Sequence, residues 1–152
     1  MISEGPPRFH LAIPVHDLAA ARGFYGGLLG CPEGRSAPDW VDFDLRGHQL
    51  VCHRVSGARP AVAGRNPVDG DAVPIPHFGL VLSFEDWRAL ASRLESAGVD
   101  FEIAPRVRFA GTPGEQGTFF LYDPSGNALE FKGFQDISQL FSRSAARPAP
   151  GG

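Results

Sequence analysis

Glu130 sits in the run Ala128-Leu129-Glu130-Phe131, one carboxylate among apolar neighbours, just after the turn Asp123-Pro124-Ser125-Gly126. A lone buried charge is costly unless a positive partner meets it. His10 and His77 offer such a partner indirectly. They open the strand-like runs "HLAIPV" and "HFGLVL", and two residues on each chain segment places a small residue, Ala12 or Gly79. Strand alternation puts each histidine on the face of its small neighbour, away from the bulky Leu11, Ile13 and Val15 or Phe78, Leu80 and Leu82. Two neutral imidazoles and a carboxylate suit Fe(II), Mn(II) or Zn(II) and leave coordination positions open. A divalent cation would then be the positive partner that Glu130 lacks. Singly, a strand histidine reads as a satisfied core or edge residue and a strand glutamate as a wet one. Their equivalent placement in two halves is what joins them.

Residues this far apart need a framework that repeats. The first half runs from "RFHLAIPV" into "DLAAARGFYGGLLG", where Leu18, Ala21, Phe24, Tyr25 and Leu28 recur at helical spacing. Asp17 is its expected N-cap and Gly30 its stop. "WVDFDL" and "HQLVCHRV" follow as strands about the turn signal Arg46-Gly47. The second half repeats the order. "PHFGLVLS" leads into the helical "EDWRALASRLESAG", with Trp87, Leu90, Ala91 and Leu94 on one face and Gly98 as stop, then "VDFEIA", "GTFFLYD" and "NALEFKGF". Aligning "DLRGHQLVCH" with "DPSGNALEFK" sets Glu130 against Val51, and Ala128 and Lys132 against Gln49 and His53.

The expected division is an N-terminal extension over 1–8, a first module over 9–55, an aperiodic Pro/Gly-rich linker or lid over 56–76 and a second module over 77–134. Residues 135–152 follow, with a short helix in "FQDISQLF" docking Phe134, Ile137 and Leu140, then a disordered tail. With 152 residues, 43% hydrophobic and 20% charged, the chain has the balance of a globular protein with a real core. A net charge of −3 with dispersed arginines gives no footprint for nucleic acid. No apolar run approaches a membrane span, and the opening "MISEGPPRFH" does not resemble a signal peptide, so a cytoplasmic location is expected. Cys31 and Cys52 then read as reduced packing residues.

The unit strand-helix-strands, with the opening "FHLAIPVHDLAAARGFYGGLLG" and the closing "GTFFLYDPSGNALEFKGF", resembles the vicinal oxygen chelate superfamily, which includes glyoxalase I, extradiol dioxygenases and fosfomycin- and bleomycin-resistance proteins. The resemblance covers Phe9 to Phe134. It implies an α+β fold of two βαβββ modules forming a curved, half-open barrel around a metal, with His10, His77 and Glu130 as ligands. "GCPEGRS", "GHQLVCH", "VPIPHFG" and "PGEQGTFFLYDPSGNALEFK", in that order, look most similar to the small predicted extradiol-dioxygenase-like group.

That likeness implies an Fe(II) dioxygenase acting on a small catechol-like or enediol-like substrate, with Mn, Zn or Ni as alternative metals. His53, two residues from Val51, is the expected acid/base. Tyr122 could donate a hydrogen bond to substrate. Gln49, on the His53 face, and His48, facing the other way beside its turn, are candidate substrate contacts. Arg106 and Arg108, in a loop "APRVRFAGTPGEQGT", could clamp an anionic substrate. Trp40, Phe119 and Phe120 could wall the pocket. His16 reads as a loop residue.

Glyoxalase I has a further ligand where this chain has Val51, and the acid that methylmalonyl-CoA epimerase needs has no evident counterpart. Bleomycin-binding members generally lack the ligands, and the potassium-binding loop of the fosfomycin transferases is not found. A redox-neutral lyase, isomerase or thiol transferase and a metal-independent binding protein remain the alternatives. Exposed sheet edges make a homodimer the expected assembly, with the site inside one chain or shared across two.

Overall fold

The computed structural model describes residues 5–59 and 62–143; the tail expected to be disordered lies outside the described residues from 144 on, as do residues 1–4 of the opening segment. The chain divides into two compact units, residues 1–61 with 123–127, and residues 62–122 with 128–152. No described helix is long and apolar enough to cross a membrane.

The first unit contains β1 (His10–Val15), α1 (Leu18–Ala21), a π-helical segment (Arg22–Leu28), β2 (Glu33–Ala37), β3 (Trp40–Leu45) and β4 (His48–Arg54). Asp17 caps α1 by accepting the Ala20 N–H. One regular helix was expected through Leu28. Instead the backbone widens over Arg-Gly-Phe-Tyr-Gly-Gly-Leu, where three glycines weaken the α-helical ladder and the wider turn sets Phe24 and Tyr25 in the core. The sheet order is β1-β4-β3-β2, with β1 parallel to β4 and the remaining pairs antiparallel. Alternate residues Ile13 and Val15, Val41 and Phe43, Leu50 and Cys52 form its buried face.

Asp123 knits this unit together. Its carboxylate accepts the Ser125 and Asn127 N–H groups at 2.8 and 2.9 Å on one oxygen, and Asn127 Nδ2 at 2.8 Å and the Tyr25 hydroxyl at 2.7 Å on the other. Burial, then the Asp123 charge, push the Tyr25 phenol far above its ordinary range, so it stays a donor. Asn127 Nδ2 also reaches Pro14 O at 3.0 Å, and Ser125 Oγ accepts the His16 N–H at 3.0 Å. Cys31 and Cys52 are buried and form no disulfide among the described residues, and burial pushes the Cys52 thiol up to about 12.

The second unit opens with a hairpin, β5 (Gly64–Val68) and β6 (Asp71–Ile75), inside the segment expected to be an aperiodic linker. Its turn, Asp69-Gly70, has positive φ at both residues, the two-residue connection whose twist matches paired strands. Then come β7 (Phe78–Ser83), α2 (Phe84–Ser96), β8 (Ile103–Arg108), β9 (Gln116–Tyr122), β10 (Ala128–Phe134) and a 3-10 turn (Ile137–Gln139). Strand β8 carries Arg106 and Arg108, which were expected in a loop; the loop begins only beyond them. Ile137 is 57% exposed, so it does not dock as expected.

The sheet order β7-β10-β9-β8 repeats that of the first unit, again with the first and last strands of the module parallel. Both modules are therefore βαβββ, the fold is mixed α+β, and neither four-stranded sheet closes into a barrel. The register repeats too: Ala12 pairs with Val51, and Gly79 with Glu130. Ser83 caps α2 through the Asp86 N–H, and Trp87, Ala91 and Leu94 face the sheet. The Trp87 indole fills a slot left by Gly117 and Gly133, which face each other across β9 and β10, and its Nε1 donates to Phe131 O at 3.1 Å.

Gly79 is small because backbone needs the room. A Cβ there would lie 1.6 Å from the Glu130 carbonyl oxygen. Gly79→Ala should therefore break the β7–β10 ladder, seen as lost hydrogen-exchange protection of those strands; wild-type protection would refute the close approach. Tyr25→Phe removes one donor from a buried carboxylate and should cost about 1.5–3 kcal/mol. Urea denaturation checks this, and an unchanged midpoint would show Asp123 satisfied without the phenol.

Candidate metal centre

Glu130 is 5% exposed, and its two oxygens meet different surroundings. Oε2 accepts the Thr118 hydroxyl at 2.5 Å and has Arg108 Nη1 at 3.6 Å. Oε1 faces His77 Nε2 at 3.4 Å and Lys132 Nζ at 3.8 Å. Register explains the gathering, since the pairs Glu130–Phe120 and Lys132–Thr118 project from the same sheet face. Glu130 thus does not lack positive partners, as the sequence reading supposed. Arg108, Lys132 and His77 all belong to its own unit. Burial alone would raise its carboxyl; hydrogen bonds from His77 and Thr118, with the charges of Lys132 and Arg108, outweigh burial and hold it below the usual range.

His77 is fixed at its other end. Nδ1 lies 2.6 Å from Pro74 O in β6, and the ring meets Phe120 edge-on at 4.9 Å. A carbonyl only accepts, so Nδ1 carries hydrogen; Nε2 then donates to Glu130 when the ring is charged and offers its lone pair on that side when the ring is neutral. The hydrogen bond to Glu130 holds His77 above its ordinary pKa against the opposing effect of burial, with Pro74 O adding to the rise.

The hairpin supplies the countercharges of β8. Arg106 reaches Asp71 at 2.9 Å and Asp69 at 3.1 Å, while Arg108 reaches Asp71 at 3.1 Å. Arg108 is 3% exposed, with its guanidinium 5.7 Å from the Phe120 ring centre. Asp69 and Asp71 went unnoticed in the sequence because their segment read as linker; the Asp-Gly pair was the available signal. Tyr122 projects on the Glu130 face, where its hydroxyl accepts from Arg65 Nη2 at 3.1 Å, and Arg65 also pairs with Glu102 at 2.8 Å. Phe120 shares that face, whereas Phe119 packs in the core against Trp87, Phe101 and Phe131. A cleft of about 150 Å³ is lined by His77, Gly79, Leu80, Val81, Glu130 and Lys132.

His10, Gln49, His48, His53 and Trp40 belong to the first unit. His10 Nδ1 lies 2.8 Å from Gln49 Oε1, and Gln49 Nε2 donates to Asp42 Oδ2 at 3.0 Å. Asp42, 7% exposed, pairs across the sheet with Val51, so a carboxylate stands beside the position where the sequence offered none. Its place in "WVDFDL", alternating with Val41, Phe43 and Leu45, reads as an ordinary wet face and concealed it. His48 Nδ1 accepts the Phe9 N–H at 3.0 Å. His53 is exposed and pairs with Trp40 across β3 and β4. Arg8, Asp42, Asp44, His48 and Gln49 border a cavity of about 440 Å³.

Of the three expected ligands, the second unit brings His77 and Glu130 together, with Nε2 and Oε1 3.4 Å apart. Metal–ligand bonds of about 2.0–2.2 Å at tetrahedral or octahedral angles place neighbouring donors roughly 2.9–3.4 Å apart. Thr118 and Arg108 restrain Oε2 and leave Oε1 turned to His77, the outer support a carboxylate ligand requires. Among the described residues, no three His, Cys, Asp or Glu side chains form a group able to hold a metal ion.

No curated protein matches the chain. Among solved structures, a glyoxalase/bleomycin resistance protein/dioxygenase from Alicyclobacillus acidocaldarius is 35% identical, with 89% of this chain and 96% of that one covered at a TM-score of 0.73. A lactoylglutathione lyase from Agrobacterium tumefaciens is 20% identical over 92% of this chain and 99% of that one, TM-score 0.63. A glyoxalase/dioxygenase from Nostoc punctiforme is 17% identical over 90% and 96%, also at 0.63. The last two show the shared fold alone. Residues 9–131 match the family model of the glyoxalase/bleomycin resistance protein/dioxygenase superfamily, and the chain belongs to that superfamily.

Proposed function

We propose that the chain is a divalent-metal enzyme of the extradiol-dioxygenase type, acting on a small catechol-like or enediol-like substrate. The observation that carries this reading is the His77–Glu130 pair: Nε2 and Oε1 face one another at 3.4 Å, while their other polar atoms are engaged by Pro74 O, Thr118 and Arg108. His10 is the third ligand in this reading. Divalent metals are common in the superfamily. Bound by two histidines and one carboxylate, Fe(II) would supply Lewis acidity and open positions for a bidentate diol and dioxygen.

The residues around the pair have separate tasks. Phe120 excludes water from one flank of His77. Lys132 sets a positive charge beside the cleft, where it would favour an ionised substrate hydroxyl or carboxylate. His53 is exposed and able to exchange protons with solvent, as an acid/base requires. A homodimer goes with this reading.

A redox-neutral lyase or isomerase is the second reading, and one observation favours it. Asp42, buried beside Val51, is a carboxylate that could act as a proton acceptor.

Metal titration of the full chain tests the centre. His77→Ala and Glu130→Gln should each weaken Mn(II) or Zn(II) binding by at least roughly tenfold, on the scale of a lost contact around a metal; undiminished affinity in either would remove the assignment. An aerobic assay of Fe(II)-loaded protein against a catechol panel should show oxygen uptake with ring-opened product. Turnover that continues without oxygen would favour the second reading.

A further inference from the structure

Asp42, Gln49 and His10 form a chain of hydrogen bonds whose direction is set at one end. A carboxylate accepts only, so the group Gln49 turns toward Asp42 Oδ2 must be its NH2, at 3.0 Å. The amide oxygen is thereby turned toward His10, 2.8 Å from Nδ1. An amide oxygen also accepts only, so Nδ1 must carry the hydrogen. We propose that Asp42 and Gln49 are positioning residues that fix the His10 proton on Nδ1 and leave Nε2 as a free lone pair.

Two further features point the same way. Asp42 Oδ1 is buried with no hydrogen-bond partner among the described residues, a cost that packing alone would not retain. Gly34 on β2 makes its place, because a Cβ there would lie 2.3 Å from Oδ1 and displace the carboxylate. The second unit reaches the same end by other means, since Pro74 O takes the Nδ1 hydrogen of His77. Two unrelated acceptors thus put both imidazoles in one tautomer, the one that leaves Nε2 available to a ligand. The relay is complete within the first unit. Only its catalytic purpose rests on His10 being a metal ligand.

Nitrogen-15 NMR of the metal-free full chain at pH ~9, above the ordinary imidazole range, reads each tautomer directly. Wild-type His10 and His77 should both be in the Nδ1–H form. Gln49→Leu, and more mildly Asp42→Asn, should move His10 toward the Nε2–H form that unrestrained histidine favours and leave His77 unchanged, so His77 serves as the internal check on folding. An Nε2–H wild-type His10, or a His10 tautomer that neither variant alters, would overturn the relay. Zinc titration separates this from the functional reading: Gln49→Leu should bind roughly 10–100-fold more weakly. A wild-type chain that keeps Nδ1–H at His10 yet binds no zinc would sink the metal centre and leave the relay standing.

Discussion

The burial of one carboxylate organises the second unit. Glu130 stands on a central strand and is nearly all buried, so its charge must be met by groups the fold brings in. Arg108 comes from β8, but a buried guanidinium needs a second acid, and Asp71 of the hairpin provides it. The hairpin strand that carries Asp71 also carries Pro74, whose carbonyl orients His77, and His77 returns to Glu130. The interactions close a ring: acid, arginine, acid, strand, carbonyl, imidazole, acid. Asp69, Asp71 and Glu130 are met by Arg106, Arg108 and Lys132, three acids against three bases within a small space.

The two modules share a frame and differ in where they place their acid. In the second, the carboxylate is on the last strand at Glu130, with Phe120 beside it on the neighbouring strand. In the first, the last strand has Val51 and the neighbour has Asp42. Matching register thus holds an acid in each half, shifted by one strand. The two modules share backbone geometry and differ in side-chain chemistry.

Much of this frame was visible in the residues. Asp17, Gly30 and Gly98 mark helix ends as read, and the pairing of Ala12 with Val51 and Gly79 with Glu130 bears out the alignment of the halves. What was hidden has identifiable causes. Strand β2, Glu-Gly-Arg-Ser-Ala, has no apolar alternation because it is an edge with no buried side chain. Prolines 67 and 74 masked the hairpin, and Pro105, Gly111 and Pro113 made β8 look like a loop. Gly79 was legible as small, but its reason was not: it admits the Glu130 backbone rather than opening space around an imidazole. Arg108 could not be paired with Glu130 from sequence, because their meeting depends on strand order and on Asp71, and neither leaves a periodic trace.

The chain contains two tryptophans, and the fold allots one to each unit. Trp40 lies half-exposed on β3, while Trp87 is sealed in its slot against Gly117 and Gly133. Their indoles therefore occupy optically distinct surroundings, and fluorescence can follow the halves separately without any attached dye. Whether the duplicated halves melt together or in sequence becomes a question the native chromophores can answer.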